Sequence, residues 1–151
     1  MDSSRIRQIA HKFRAAIEST DTEVRSPAMP SFPTGACGVS SALLGAYFED
    51  CGVLGFRWIS GVRASSDPDH WDTHVWLQRN SLVVDITADQ FPDARPSVIV
   101  DGQSTWHQIF ENRTCREADF RKWDWSEPEY ELLYTRLVAT LEPAQVDTNA
   151  G

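Results

Sequence analysis

Thr73-His74-Val75-Trp76-Leu77-Gln78-Arg79-Asn80-Ser81-Leu82-Val83-Val84-Asp85-Ile86-Thr87 reads as two β-strands and the turn between them. β-branched and aromatic residues fill both arms, and Arg79-Asn80 is the expected two-residue turn. With that turn Gln78 faces Ser81, Leu77 faces Leu82, Trp76 faces Val83, Val75 faces Val84 and His74 faces Asp85. Opposed residues of an antiparallel ladder share a face, with Cβ atoms about 5 Å apart. One face then carries Val75, Leu77, Leu82 and Val84, and the other His74, Trp76, Val83 and Asp85. Both faces are apolar enough to be buried. A histidine and a carboxylate at one end of such a hairpin need a reason to be there: mutual pairing is one, and catalysis a further one.

Upstream, alternation from Val53 to Arg63 predicts another strand, with Phe56 and Trp58 on one face and Arg57 and Ile59 on the other. Ser65-Ser66-Asp67-Pro68-Asp69 is a loop, and Ser97 to Val100 a short strand stopped by Asp101-Gly102. Trp106 to Trp125 has only weak helical spacing, through Ile109 and Phe110. Helices flank these strands. The first follows Asp2-Ser3-Ser4 and runs to Glu18 or Ser19, with Ile6, Ile9, Ala10, Phe13 and Ile17 on one stripe. Arg5, Arg7, Lys12 and Arg14 belong to its solvated face. Pro27, Pro30 and Pro33 make Asp21 to Thr34 an extended connection. Cys37 to Asp50 is apolar on most sides, which predicts a buried central helix ending at Gly52. Ser126-Glu127-Pro128-Glu129 has the form of a capping box before the stripe Tyr130, Leu133, Tyr134, Leu137, Val138 and Leu141. Pro143 should end that helix.

Strands joined in succession and bracketed by helices predict an α+β domain, with helices on one side of an antiparallel sheet. The expected organisation is one domain over residues 1–143 and a flexible tail over 144–151.

Composition narrows the function classes. The chain is 41% apolar and 24% charged with six tryptophans, as expected of a packed globule. A net charge of −8 and no Lys/Arg cluster argue against nucleic acid as a partner. No apolar run reaches the roughly 20 residues that span a bilayer, and the opening Met1-Asp2-Ser3-Ser4-Arg5-Ile6-Arg7 lacks the long apolar h-region expected of a signal peptide. The expected location is cytoplasmic, or exported as an effector without a cleavable signal. Cys37, Cys51 and Cys115 are odd in number and lack metal-ligand spacing, so neither a disulfide framework nor a metal is expected.

Cys37 opens the central helix, in Phe32-Pro33-Thr34-Gly35-Ala36-Cys37-Gly38. A free thiol has a reference pKa near 8.5, and a helix N-terminus or a protonated histidine lowers it. Small residues around Cys37 leave backbone N–H groups open to an oxyanion. His74 is the candidate base and Asp85 its orienting carboxylate, with Asp89 as a rival. Thr34, Gly35, Gly38 and Trp76 are the candidate oxyanion and cleft residues, with Trp58 and Trp71 as further cleft candidates. Cys51 sits at the wrong end of the helix dipole for a thiolate, and Cys115 lies in a charged stretch. His11, His70 and His107 have no obvious register with a cysteine.

Pro33 to Leu44, then His74-Val75-Trp76-Leu77 and Val83 to Phe91, resemble the nucleophile and histidine segments of papain-like-fold cysteine hydrolases. The match is nearest to their transglutaminase-like and bacterial cell-wall endopeptidase branches. That resemblance covers Phe32 to Phe91. It implies a Cys37-His74-Asp85 triad that cleaves an amide through a thioester, without cofactor, on a peptide, protein or small amide. Peptidase, amidase and glutamine deamidase activities all fit. The alternatives are acyl transfer on the same triad, an effector that modifies one protein's glutamines, and a non-catalytic module of the same fold. The short His-to-Asp interval favours the hydrolase branches. No Gln precedes Cys37, which leaves backbone N–H groups, Ser31 or Thr34 as oxyanion donors.

Overall fold

The computed structural model describes residues 3–93 and 96–150, with side chains as far as residue 141. Its elements are α1 (Ser3–Ser19), α2 (Thr22–Arg25), α3 (Cys37–Asp50), β1 (Arg57–Ala64), β2 (Trp71–Arg79), β3 (Leu82–Asp85), β4 (Ile99–Asp101), β5 (Glu111–Glu117) and α4 (Pro128–Ala150). Short 3₁₀ turns lie at Ala88–Gln90, His107–Ile109 and Phe120–Lys122. The strands form one antiparallel sheet in the order β4-β3-β2-β1-β5. The fold is α+β.

Strand alternation gives the sheet two buried faces. Leu77 and Val84 join the main core, with Ile6, Phe13 and Ile17 of α1, Leu43 and Phe48 of α3, and Leu133 and Leu137 of α4. Trp76 and Val83 belong to a second cluster with Phe110, packed by Ile59, Phe91 and Trp106. The segment after β4 thus folds over the sheet face that turns away from the helices. α3 is apolar on nearly every side because it is sandwiched between β2 and the other two long helices. Gly45 lets it approach the chain after β5. A Cβ there would stand 2.1 Å from the Ala118 carbonyl oxygen.

Several expectations are corrected. The hairpin turns at Asn80-Ser81, one residue later than read, since Arg79 pairs with Leu82, Gln78 with Val83 and Leu77 with Val84. Asn80 adopts φ 54°, a left-handed conformation that asparagine tolerates better than arginine. His74 is therefore diagonal to Asp85, not opposite it. Moving the turn by one residue slides the partner strand by two, so the faces are retained. β1 begins at Arg57 where the sequence suggests Val53, and β4 is displaced to Ile99–Asp101.

β5 was not legible. All its residues are exposed, so it has no alternation, and it is held as an edge strand by its ladder with β1. The proline-rich connection contains the single turn α2. Arg14 is buried, 6% exposed, where the helical wheel puts it on the solvated face. α4 continues through Pro143 to Ala150; a proline removes one backbone donor, and here the helix does not stop there. Asp2 of the expected N-cap and Gly151 of the expected tail lie outside the described residues.

Candidate active site

Cys37 is the first residue of α3, and Gly35 makes the turn into it at φ 69°. Ala36 occupies the N-cap and supplies no side-chain acceptor. The positive end of the helix dipole therefore falls on Cys37 without a cap to neutralise it. The thiol is half-buried, as is Cys51, while Cys115 is exposed.

α3 meets the sheet at the end where β2 begins and β3 stops. His74 is there, wholly buried, with its Nε2 2.6 Å from Asp85 Oδ2. Asp85 is 1% exposed, and its other oxygen accepts from the Thr87 N–H at 3.0 Å. Because Nε2–H donates to the carboxylate, Nδ1 is the ring nitrogen left over, and Cys37 is a neighbour that helps to raise His74. Burial opposes the imidazolium. The Asp85 charge and hydrogen bond, with Cys37, outweigh it and hold His74 up at about 9. Burial likewise opposes ionised Asp85, and the two imidazoles on it outweigh that and hold it well below the usual carboxylate range.

Two of those partners were not found from the sequence. His107, 1% exposed, places its Nε2 2.6 Å from the same Asp85 Oδ2, with its Nδ1 2.5 Å from Ser104 Oγ. It lies 22 residues beyond Asp85, on a 3₁₀ turn no periodicity announces. Gln90 links the two halves of the site. Its Oε1 accepts from the Gly35 N–H at 3.2 Å, and its amide nitrogen lies 3.3 Å from His74 Nδ1 and 3.1 Å from the Thr87 carbonyl.

The rival carboxylate is occupied elsewhere. Asp89 takes two 2.9 Å contacts from Arg14, whose guanidinium also donates to the Ile86 carbonyl at 2.6 Å. Asp85, not Asp89, holds His74.

Of the cleft candidates, Thr34 and Gly35 are exposed and Gly38 is half-buried at the helix start. Trp76 is not in a cleft. It is fully buried beneath the site, 4.9 Å from the His107 ring and 5.9 Å from that of His74, with its indole N–H on Gln78. Its place on the His74 face put it under the two imidazoles instead of beside a cleft. Trp71 is 65% exposed on the first residue of β2. Trp58 is nearer to the thiol. Its indole N–H donates to the Gly38 carbonyl at 3.0 Å, and its ring packs edge-on against Trp123.

An open cleft of about 620 Å³ begins at Thr34 and Gln90 and runs between Arg63, Asp72, Phe91 and Asp93. Phe91 stands edge-on to the His74 ring at 5.1 Å, so cleft and imidazole share a wall. His74, Asp85 and His107 have ligating atoms within 4.8 Å of one another, a spacing that could hold a metal ion. The donor set fits one poorly, because both Nε2 atoms already point at a single carboxylate oxygen from 2.6 Å. That distance fits N–H···O⁻ bonds, whereas ligands around one ion repel each other. Among the described residues no helix is long and apolar enough to cross a membrane.

Comparison with known proteins gives no matching family model, no matching curated protein and no matching solved structure.

Proposed function

We propose that this domain is a thiol-dependent amide hydrolase acting through Cys37, His74 and Asp85, on a papain-like arrangement of helix and sheet. One observation carries the reading. A wholly buried imidazole holds a buried carboxylate at 2.6 Å through Nε2 and has the thiol of a helix-opening cysteine as a neighbour that helps to keep it protonated. Isolated histidines and carboxylates are costly to bury, and this pairing gives both a partner while it delivers a base to a nucleophile.

The chemistry follows from the same contacts. His74 takes the Cys37 proton at Nδ1, and Asp85 stabilises the imidazolium so formed. The thiolate attacks the amide carbon, and the C–N bond breaks as His74 returns the proton to the leaving amine. The acyl group remains on sulfur as a thioester. Water, deprotonated by His74, then attacks that carbon and releases a carboxylic acid and the free thiol. Once Nδ1 carries a proton, one Gln90 amide hydrogen loses its acceptor there. That hydrogen and the uncapped N–H groups at the start of α3 are the donors for the developing oxyanion, a role for which the sequence offers backbone N–H groups, Ser31 or Thr34. A peptide or protein segment would lie in the cleft from Thr34 to Asp93. An amine in place of water would give acyl transfer.

Iodoacetamide alkylation against pH, read cysteine by cysteine, tests the proposal. Cys37 should react well below pH 8, with Cys51 and Cys115 as internal controls, and His74→Ala should remove the advantage. A Cys37 that reacts no faster than Cys115 below pH 8 would exclude the thiol-enzyme reading and leave the non-catalytic one.

A further inference from the structure

Asp85 Oδ2 receives two imidazole nitrogens at the same distance, 2.6 Å from His74 and 2.6 Å from His107. A proton-relay base needs only the first. The second is built with equal care: His107 is 1% exposed, and Ser104, itself 9% exposed, meets its other ring nitrogen at 2.5 Å. Arg113 of β5 fixes the backbone at this point, donating to the His107 carbonyl at 2.7 Å. The Trp76 and Trp106 rings each lie 4.9 Å from the His107 ring, and Asp85 is 1% exposed, so water has little access to the carboxylate. Ser104 Oγ occupies Nδ1, and the Nε2–H of His107 has one acceptor within reach, Asp85.

We propose that His107 is a positioning residue that divides the Asp85 carboxylate between two imidazoles, and so sets how tightly His74 holds its proton. This rests on the reading of His74 as the base. A carboxylate with one donor places its whole charge on that donor. With a second N–H on the same oxygen, part of the charge is already neutralised, and the imidazolium of His74 gains less from it. His107 also stops the Asp85 side chain from rotating away from His74, since Oδ1 is held by Thr87 and Oδ2 from two sides. The charged and titratable groups facing this cluster are His74 from β2, Asp85 from β3, Arg113 from β5 and Cys37 from α3 beyond His74.

The test is an NMR titration of the His74 ring nitrogens in the ¹⁵N-labelled full chain, which reads the imidazole without any reaction at Cys37. His107→Leu should raise the His74 midpoint by roughly one pH unit. His107→Gln, whose amide nitrogen falls near the lost Nε2, should keep it close to that of the unsubstituted protein. Ser104→Ala scarcely changes the core volume, and by releasing the His107 ring should move the midpoint upward by less. If the leucine variant does not fold, as judged by circular dichroism, the serine variant decides. An unmoved or lowered midpoint in these variants, or a glutamine variant that shifts as far as leucine, overturns the role given to His107. The alkylation profile of Cys37 stands apart from this readout, so failure of the thiol-enzyme reading would be seen separately.

Discussion

Arg14 grips both carboxylate oxygens of Asp89 at 2.9 Å, joining the first helix to the 3₁₀ turn that carries Gln90. The same guanidinium holds the Ile86 carbonyl, one residue past β3. A residue 23 positions before Cys37 in the chain thus fixes the segment that touches both Gly35 and His74.

Arg14→Met keeps the packed stem and removes the fork, leaving Asp89 and the Ile86 carbonyl unpaired. Asp89 keeps a quarter of its side chain in water, so the cost should be about 2 kcal/mol, below that of a fully buried pair. Urea unfolding would measure it as a lower midpoint at unchanged slope. The Cys37 alkylation rate at pH 7 should fall as well, because Gln90 is no longer held against His74.

Asp85→Asn preserves size and replaces a charge with an amide. The imidazolium of His74 then loses its largest support while burial still acts against it. The His74 midpoint should drop from about 9 to below the ordinary 6.5, and Cys37 alkylation at pH 7 should slow by roughly a hundredfold. An asparagine variant as reactive as the parent would remove Asp85 from the mechanism.

Stability should depend on pH through the same pair. His74 is raised on folding, so its contribution is complete below its unfolded value of 6.5 and is lost as the pH climbs through about 9. Asp85 is depressed, so its contribution is complete above its unfolded value of 3.8 and is lost as the pH falls below that. The two describe one interaction and are not summed. Denaturant midpoints should be highest between about pH 4 and 6.5 and decline toward pH 9 and above. His74→Gln should flatten the alkaline decline.

Gly45→Ala tests the approach of α3 to the chain after β5. Helix propensity alone favours alanine by about 1 kcal/mol. The new methyl would meet the Ala118 carbonyl oxygen at 2.1 Å and its Cβ at 2.8 Å, a clash that only backbone movement relieves. The net effect should be a loss of about 2 kcal/mol or more, seen as a lower thermal midpoint.

Local patterns carried the elements whose signals are periodic. The apolar stripe of α1 is buried at Ile6, Ile9, Ala10, Phe13 and Ile17, and α3 is buried from Ser40 to Phe48. The alternation of β2 places His74 and Trp76 on one face and Leu77 on the other. Where an element has no period, as in the wholly exposed β5, composition had nothing to report. The same holds for Arg14, since a helical wheel cannot foresee that a carboxylate 75 residues away will cover its polar face.

By itself, then, the sequence determined that Cys37 opens a buried helix and that His74 and Asp85 share a face of an adjacent hairpin, because helix and strand periods are local properties of the chain. Even the misplaced turn left that face unchanged, since a slide of two residues keeps side-chain parity. Only the tertiary structure decided which groups close around them: Gln90 against Gly35 and His74, Arg14 on Asp89, and His107 sharing the Asp85 oxygen. Those contacts join residues tens of positions apart, and what selects them is the need to give every buried polar group a partner once the two faces of the sheet are covered.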